Sequence, residues 1–214
     1  MALTSIRRIA QEAFAARCIE DKLEFMQMLA RALSDRVILD QPAHDRAPSH
    51  ETGVGPRTDA DAECAHRLGQ NDALWASTER LPAYPEKLVL VAPQHVGRRR
   101  LGSARGRAEL LHAIAHIEWH AIHLAIDAAL RFEAMPRQFM LDWLGVAVEE
   151  ARHFSMLNRH LRIAYACEYG DYSAHAGMWD MARKTEHDVV ARMALVPRVL
   201  EARGLDVTPA MVQA

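Results

Sequence analysis

Between Ser103 and Gly204 the chain carries three long stretches in succession whose apolar residues recur at helical spacing. They are separated only by Met135-Pro136 and Tyr169-Gly170-Asp171. Long amphipathic helices in series bury their apolar stripes against one another, so the pattern predicts an all-α fold built as a helical bundle. Ser103 is the expected cap of a first helix running to about Phe132, and a second runs from about Arg137 to Cys167. A third runs from about Ala174 to Arg203, with Gly204 as its C-terminal cap and Pro197 marking a kink or local irregularity. Thr208-Pro209 reads as the start of a fourth helix, which Ala214 interrupts within about one turn, so the bundle is expected to be incomplete at its C-terminal end.

Upstream the texture differs. Residues 3 to about 38 have helical spacing, with a break expected near Ser34-Asp35, and form an N-terminal arm. From Gln41 to about Arg100 the chain holds six of its nine prolines and reads as mostly loop. Within that stretch Asp59 to Leu68 is a candidate short helix, and Lys87 to Pro93 (KLVLVAP) is a run expected to lie extended against a core. The organisation is therefore an arm over 1–40, a loop-rich segment over 41–100 packing on the bundle, and the bundle itself over 101–214.

Lys plus Arg (26) nearly balances Asp plus Glu (28), so no overall field favours nucleic acid or an anionic membrane. Cys18, Cys64 and Cys167 are odd in number and far apart, which points to a reducing compartment and a cytoplasmic protein. No apolar run has the length of a membrane span, and the N-terminus lacks the core of a secretory signal.

The chemistry lies on the helix faces. On the first bundle helix Leu111, Ile114, Ala115, Ala121, Ile122, Ala125 and Ala129 gather on one side with Glu118 in their midst. On the second, Phe139, Trp143, Val146, Phe154, Leu157, Leu161 and Ala164 form the apolar face, with Glu150 at its centre and His153 beside it, while Glu149 falls on the shoulder. A carboxylate aimed at a core needs a cation, a hydrogen-bond network or a proton. Glu150-x-x-His153 presents an oxygen and a nitrogen to one side of a helix, and Glu118 on a neighbouring helix tips the choice from buried ion pairs toward a shared metal. The third helix offers Glu186 or Glu201 as a further ligand, and position alone does not choose between them.

The segments LLHAIAHIEWHAIHLAIDAALRF, WLGVAVEEARHFSMLNRHL and YGDYSAHAGMWDMARKTEHDVVARMALVPRVLEARGLDVTP together resemble the bacterial ferritin-like family known as domain of unknown function 455. The resemblance implies a ferritin-like four-helix bundle with a dinuclear iron or manganese centre, held by one Glu from each of two helices and Glu-x-x-His from each of the other two. By that resemblance Glu118, Glu150 and His153 are metal ligands. Glu201, in a Glu-Ala-Arg similar to that of ferritin-like tRNA hydroxylases, is the third-helix ligand. The fourth helix with the second Glu-x-x-His lies beyond Ala214. An oxygen-dependent oxidation or hydroxylation of an unknown small molecule is the implied reaction class.

Other features have plainer readings. His112, His116, His120 and His123 form a stripe opposite Glu118 that is expected to pack beneath the arm or the loop, with zinc or copper binding as the minor alternative. The methionines at helical spacing, Met26, Met28, Met178, Met181 and Met193, are expected in the core. Arg98, Arg99, Arg100, Arg105 and Arg107 make a basic cluster with few aromatics nearby, so nucleic acid is disfavoured, with tRNA retained as a weaker reading. The rival from another class is a non-catalytic interaction protein that pairs two copies through an exposed bundle groove.

Overall fold

A computed structural model describes residues 3–40, 81–97 and 100–199. Its architecture is all-α: the described residues hold α1 (Leu3–Ala15), α2 (Ile19–Asp40), α3 (Ala104–Arg131), α4 (Arg137–Tyr165), α5 (Gly177–Arg183) and α6 (Val189–Met193), followed by a π-helical stretch at Ala194–Val199. The expected helix over 59–68, the end of the third bundle helix, Gly204 and Thr208-Pro209 lie outside the described residues.

α3 is the centre of the molecule. Ser103 Oγ accepts the Gly106 amide at 3.0 Å, the N-cap expected from sequence. Gly106 allows a close crossing, since a Cβ there would lie 2.0 Å from the Arg100 carbonyl oxygen. Every residue from Ile122 to Leu130 is buried, so this part of the helix is enclosed on all sides rather than along one stripe. α4 lies alongside, joined to α3 through Phe132–Pro136, and the two make the most extensive helix pair. α1 buries Ile6, Ile9, Ala10, Ala13 and Phe14, a stripe at 3.6-residue spacing, and packs on α2 and α3. α2 packs on α4 through a buried set that includes Phe25, Met26 and Leu29.

Three boundaries differ from expectation. The arm is divided at Ala16–Cys18 rather than at Ser34-Asp35, and α2 runs through the latter without a break. Ser34 Oγ donates back to the Ala30 carbonyl at 2.9 Å, which keeps its hydroxyl within the helix instead of capping a new one. α4 stops at Tyr165 because Ala166 turns left-handed, at φ 50°. An L-residue with a Cβ is strained there. Ala166→Gly is therefore expected to stabilise the protein by roughly 1 kcal/mol, read as a higher denaturation midpoint with an unchanged m-value.

The third bundle helix is not continuous from Ala174. Asp188 adopts an extended conformation and its carboxylate accepts the Ala191 amide at 2.7 Å, so it caps a new helix where periodicity placed it in the interior of one. Thr185 Oγ donates to the Ala182 carbonyl at 3.0 Å and closes the preceding turn. The irregularity expected at Pro197 is present as the π-helical stretch. Pro93–His95 is a 3₁₀ turn at the end of the KLVLVAP run. That run lies extended as expected: Val91 N donates to Ala174 O at 2.8 Å and Ala174 N to Val89 O at 3.1 Å, with Leu88 buried.

Candidate metal centre

Glu118 of α3 faces Glu150 and His153 of α4 across the groove between the two helices. One ligand atom from each lies within 4.8 Å of the others, the only such His, Cys, Asp and Glu group among the described residues. His153 Nδ1 is 3.2 Å from Glu150 Oε2 and 3.8 Å from Glu118 Oε2. Burial pushes the Glu118 carboxyl up to about 8, helped by the hydrogen bond that its protonated form donates to Glu150 and by the negative charge of Glu150. A pair of carboxyls that must keep a proton to coexist is a pair that a divalent cation can satisfy in its place. Two oxygens and an imidazole nitrogen suit iron, manganese or zinc.

The trio stands at the edge of a cavity of about 830 Å³, not at the centre of a packed face. The buried face of α4 consists of Met140, Leu144, Ala147, Val148, Ala151, Phe154, Asn158 and Leu161, and Glu150 lies to one side of it. The side expected to be core, with Trp143 and Val146, lines the cavity together with Glu150 and His153. Glu118 is likewise on one rim of the α3 face formed by Ala121, Ala125 and Ala128. Met26 is in the core as expected and Met28 and Met178 pack against it, while Met181 and Met193, like Met178, border the cavity.

Glu186, the alternative third-helix ligand, stands outside the trio: its side chain is 43% exposed and meets Arg131 at 3.8 Å. The interruption at Thr185–Asp188 takes it off the continuous helix face on which its position was judged. Glu201 lies outside the described residues. Of the basic cluster, Arg98 and Arg99 also lie outside, while Arg105 pairs with Glu109 and Arg107 donates to the Leu101 carbonyl. No helix among the described residues is long and apolar enough to cross a membrane.

The histidine stripe is buried and forms a packed wall. His123 Nδ1 donates to the Trp119 carbonyl at 2.8 Å and Nε2 accepts from Lys22 Nζ at 3.1 Å. His116 Nδ1 meets the Tyr169 hydroxyl at 2.8 Å while Nε2 donates to the His175 carbonyl at 3.0 Å. His112 Nε2 accepts the Gly170 amide at 2.9 Å, and His120 Nε2 pairs with the Tyr84 hydroxyl at 2.6 Å. The arm supplies Lys22 and the loop supplies Tyr84, so both expected covers are used.

Sequence reasoning missed two buried polar clusters. Lys22, fully buried, donates to the Ala13 and Phe14 carbonyls at the end of α1 and lies 4.8 Å above the Trp119 ring. Asp127, also fully buried, receives Arg192 Nη1 at 2.6 Å and Arg131 Nε at 3.0 Å. The available signal was a charged residue at a core spacing: Lys22 precedes Phe25, Met26 and Leu29 by three, four and seven positions.

The family described as "Protein of unknown function (DUF455)" matches residues 18–214. The chain belongs to that family. The DUF455 match takes in α3, α4 and all three residues of the trio. An "Uncharacterized protein" of Haemophilus influenzae is 51% identical over 140 residues, covering 62% of this chain and 48% of its own length. This DUF455 chain thus spans about half the length of that curated relative. No solved structure matches it.

Proposed function

We propose that this DUF455 protein is a metal-binding protein of ferritin-like type, with a dinuclear iron or manganese carboxylate centre serving an oxidase or hydroxylase reaction on a small molecule. The observation that carries the reading is the convergence of Glu118, Glu150 and His153, one ligand atom each within 4.8 Å, beside a cavity large enough for a substrate. Glu118 and Glu150 are the oxygen ligands and His153 Nδ1 the nitrogen ligand. Glu201 is the third-helix ligand by its resemblance to the Glu-Ala-Arg of tRNA hydroxylases. When bound, iron or manganese supplies the redox chemistry of an oxygen-dependent oxidation. The protein's own contribution is a largely apolar cavity that holds the substrate beside the carboxylates.

The protonation of Glu118 gives the test. Without metal its carboxyl is largely protonated at pH 7, because its pKa stands near 8, and a cation must displace that proton. Titrating Mn²⁺ into weakly buffered protein at pH 7 is expected to release about one proton per ion bound, with affinity rising up to about tenfold per pH unit below 8 and levelling above it. Glu150→Ala is expected to abolish both binding and release. Binding that is independent of pH and of Glu150 would overturn the assignment.

A further inference from the structure

The cavity is a groove whose axis is set by α3. α3 is its floor, and α4, returning alongside from the turn at Phe132–Pro136, is one wall. α5 and α6 supply the other. α5 runs in the same sense as α3: the His175 carbonyl before it meets His116 at 3.0 Å, and the Ala182 carbonyl near its far end shares Arg192 with Asp127. The α3 lining runs from Ala113 to Ala128, about 22 Å, whereas a sphere of about 830 Å³ is about 12 Å across, so the space is elongated.

Its polarity is divided along that axis. Glu118, Glu150 and His153 stand toward the Ala113 end, and His175 borders the same end from the loop before α5. Toward the α3–α4 turn the described wall is apolar, with Trp143 and Val146 of α4 on one side and Met181 and Met193 on the other. Trp143 and Val146 precede Glu150 by seven and four positions, so they share its side of α4, one and two turns nearer that end. All four of these side chains, and Ala121 on the floor between them, keep part of their surface open although they lie among packed helices. Arg192 also borders this end, but it is 2% exposed and directs its guanidinium at Asp127, Thr185 and the Ala182 carbonyl.

The methionines add adaptability. Met178, Met181 and Met193 bring unbranched, polarizable side chains to one wall, and such side chains re-pack around a flexible occupant. The reach of the apolar part follows from the helices. Ala128 lies ten positions beyond Glu118, about 15 Å along α3, and Trp143 lies about 10 Å from Glu150 along α4.

We propose that this groove binds a linear amphiphile, its polar end beside Glu118, Glu150 and His153 and its unbranched alkyl tail lying over Ala121 toward Trp143, between Val146 and the methionines. An extended carbon chain advances roughly 1.3 Å per bond, so the tail that fits has about 8 to 12 carbons. This names the substrate class of the site proposed above and rests on that reading, but recognition of the tail needs no metal.

The test is a chain-length series on the whole chain, with and without Mn²⁺. The probes are 1-alkanols and alkanoates of about six to fourteen carbons, each below its solubility or micellar limit, with cyclododecanol as the compact counterpart of 1-dodecanol. Binding is followed by NMR of protein labelled with ¹³C at the methionine methyls. In both series affinity is expected to rise roughly fourfold per added methylene and to stop rising near 12 carbons, where the groove ends. The longer probes are expected to shift the Met181 and Met193 methyl resonances, and cyclododecanol to bind at least about tenfold more weakly than 1-dodecanol. Ala121→Trp places an indole on the floor of the groove and is expected to weaken 1-dodecanol at least about tenfold. Glu150→Ala is expected to abolish metal binding and leave the chain-length profile intact, so failure of the metal site and failure of the groove are separate results. Should Ala121→Trp not fold, the profile and methionine shifts of the unaltered protein decide alone. A rise that continues without a break, equal binding of ring and chain, 1-dodecanol unaffected by Ala121→Trp, or no binding of any probe would overturn the proposal, the last meaning that the chain itself fills the groove.

Discussion

Asp127→Ala is expected to cost about 3–5 kcal/mol of folding stability, the range for removing one partner of a buried ion pair. Asp127 is fully buried and Arg192 only 2% exposed, so losing the carboxylate leaves a guanidinium enclosed without its counter-charge. Arg131 is less affected, because it is 14% exposed and has Glu186 within 3.8 Å. The consequences reach beyond stability. Arg192 also holds Thr185 and the Ala182 carbonyl, so this cluster pins the break between α5 and α6 against the end of α3. Loosening it displaces Met181 and Met193, which border the cavity. Urea denaturation of the variant should show the loss. A cost below about 1 kcal/mol, the worth of an exposed pair, would show that the cluster is not enclosed in solution.

The second large effect is acid lability. Burial holds the His116 imidazole down to about 4 and pushes His120 and His123 well below the ordinary value of 6.5, with Lys22 adding repulsion at His123. The direction follows from which state binds protons. Above about pH 6.5 these rings are neutral whether the chain is folded or not; below it the unfolded chain takes up protons that the folded one refuses. Stability is therefore fully present above 6.5 and is lost as pH falls toward and through the folded values. His116 alone, moved from 6.5 to about 4, accounts for about 3 kcal/mol of that loss. Denaturation midpoints between pH 7 and pH 4 should fall steeply. His123→Phe, in a ring pocket already lined by Phe14 and Trp119, should flatten part of the slope. A stability that is level over that range would contradict the buried histidine wall.

Lys22 belongs to the same account. Its ammonium is held by two carbonyls, an imidazole and an indole face, and desolvation lowers its pKa well below the ordinary lysine value. It ties the end of α1, the start of α2 and the middle of α3 together. That explains why the arm divides at Ala16–Cys18: the carbonyls that α1 leaves unpaired there are taken up by this side chain.

What the sequence made legible was local or periodic. Ser103 caps α3, the KLVLVAP run is extended, and Glu118, Glu150 and His153 meet, because each depends on spacing within one element or on two adjacent helices. What it hid depends on partners distant in the chain. Tyr84 reaches His120 across 36 positions, and Lys22 reaches His123 across 101. A stripe of four histidines gives no sign of whether such covers exist. The division of the third bundle helix was hidden for another reason: Asp188 at a cap and Asp188 on an exposed helical turn look alike in a periodic pattern, and the Arg192–Asp127 contact decides between them. Glu150 was placed correctly against His153 but too centrally, because among the described residues the apolar face containing it borders a cavity.

The central claim is that Glu118, Glu150 and His153 hold a metal ion. Elemental analysis for iron, manganese and zinc per chain after anaerobic reconstitution, on the unaltered protein and on Glu150→Ala with its helicity checked by circular dichroism, tests it most directly. The account predicts at least about one ion per chain in the former and none in the folded variant, since removing one of three ligands dismantles the site. Equal metal in both proteins, or none in either, would contradict it.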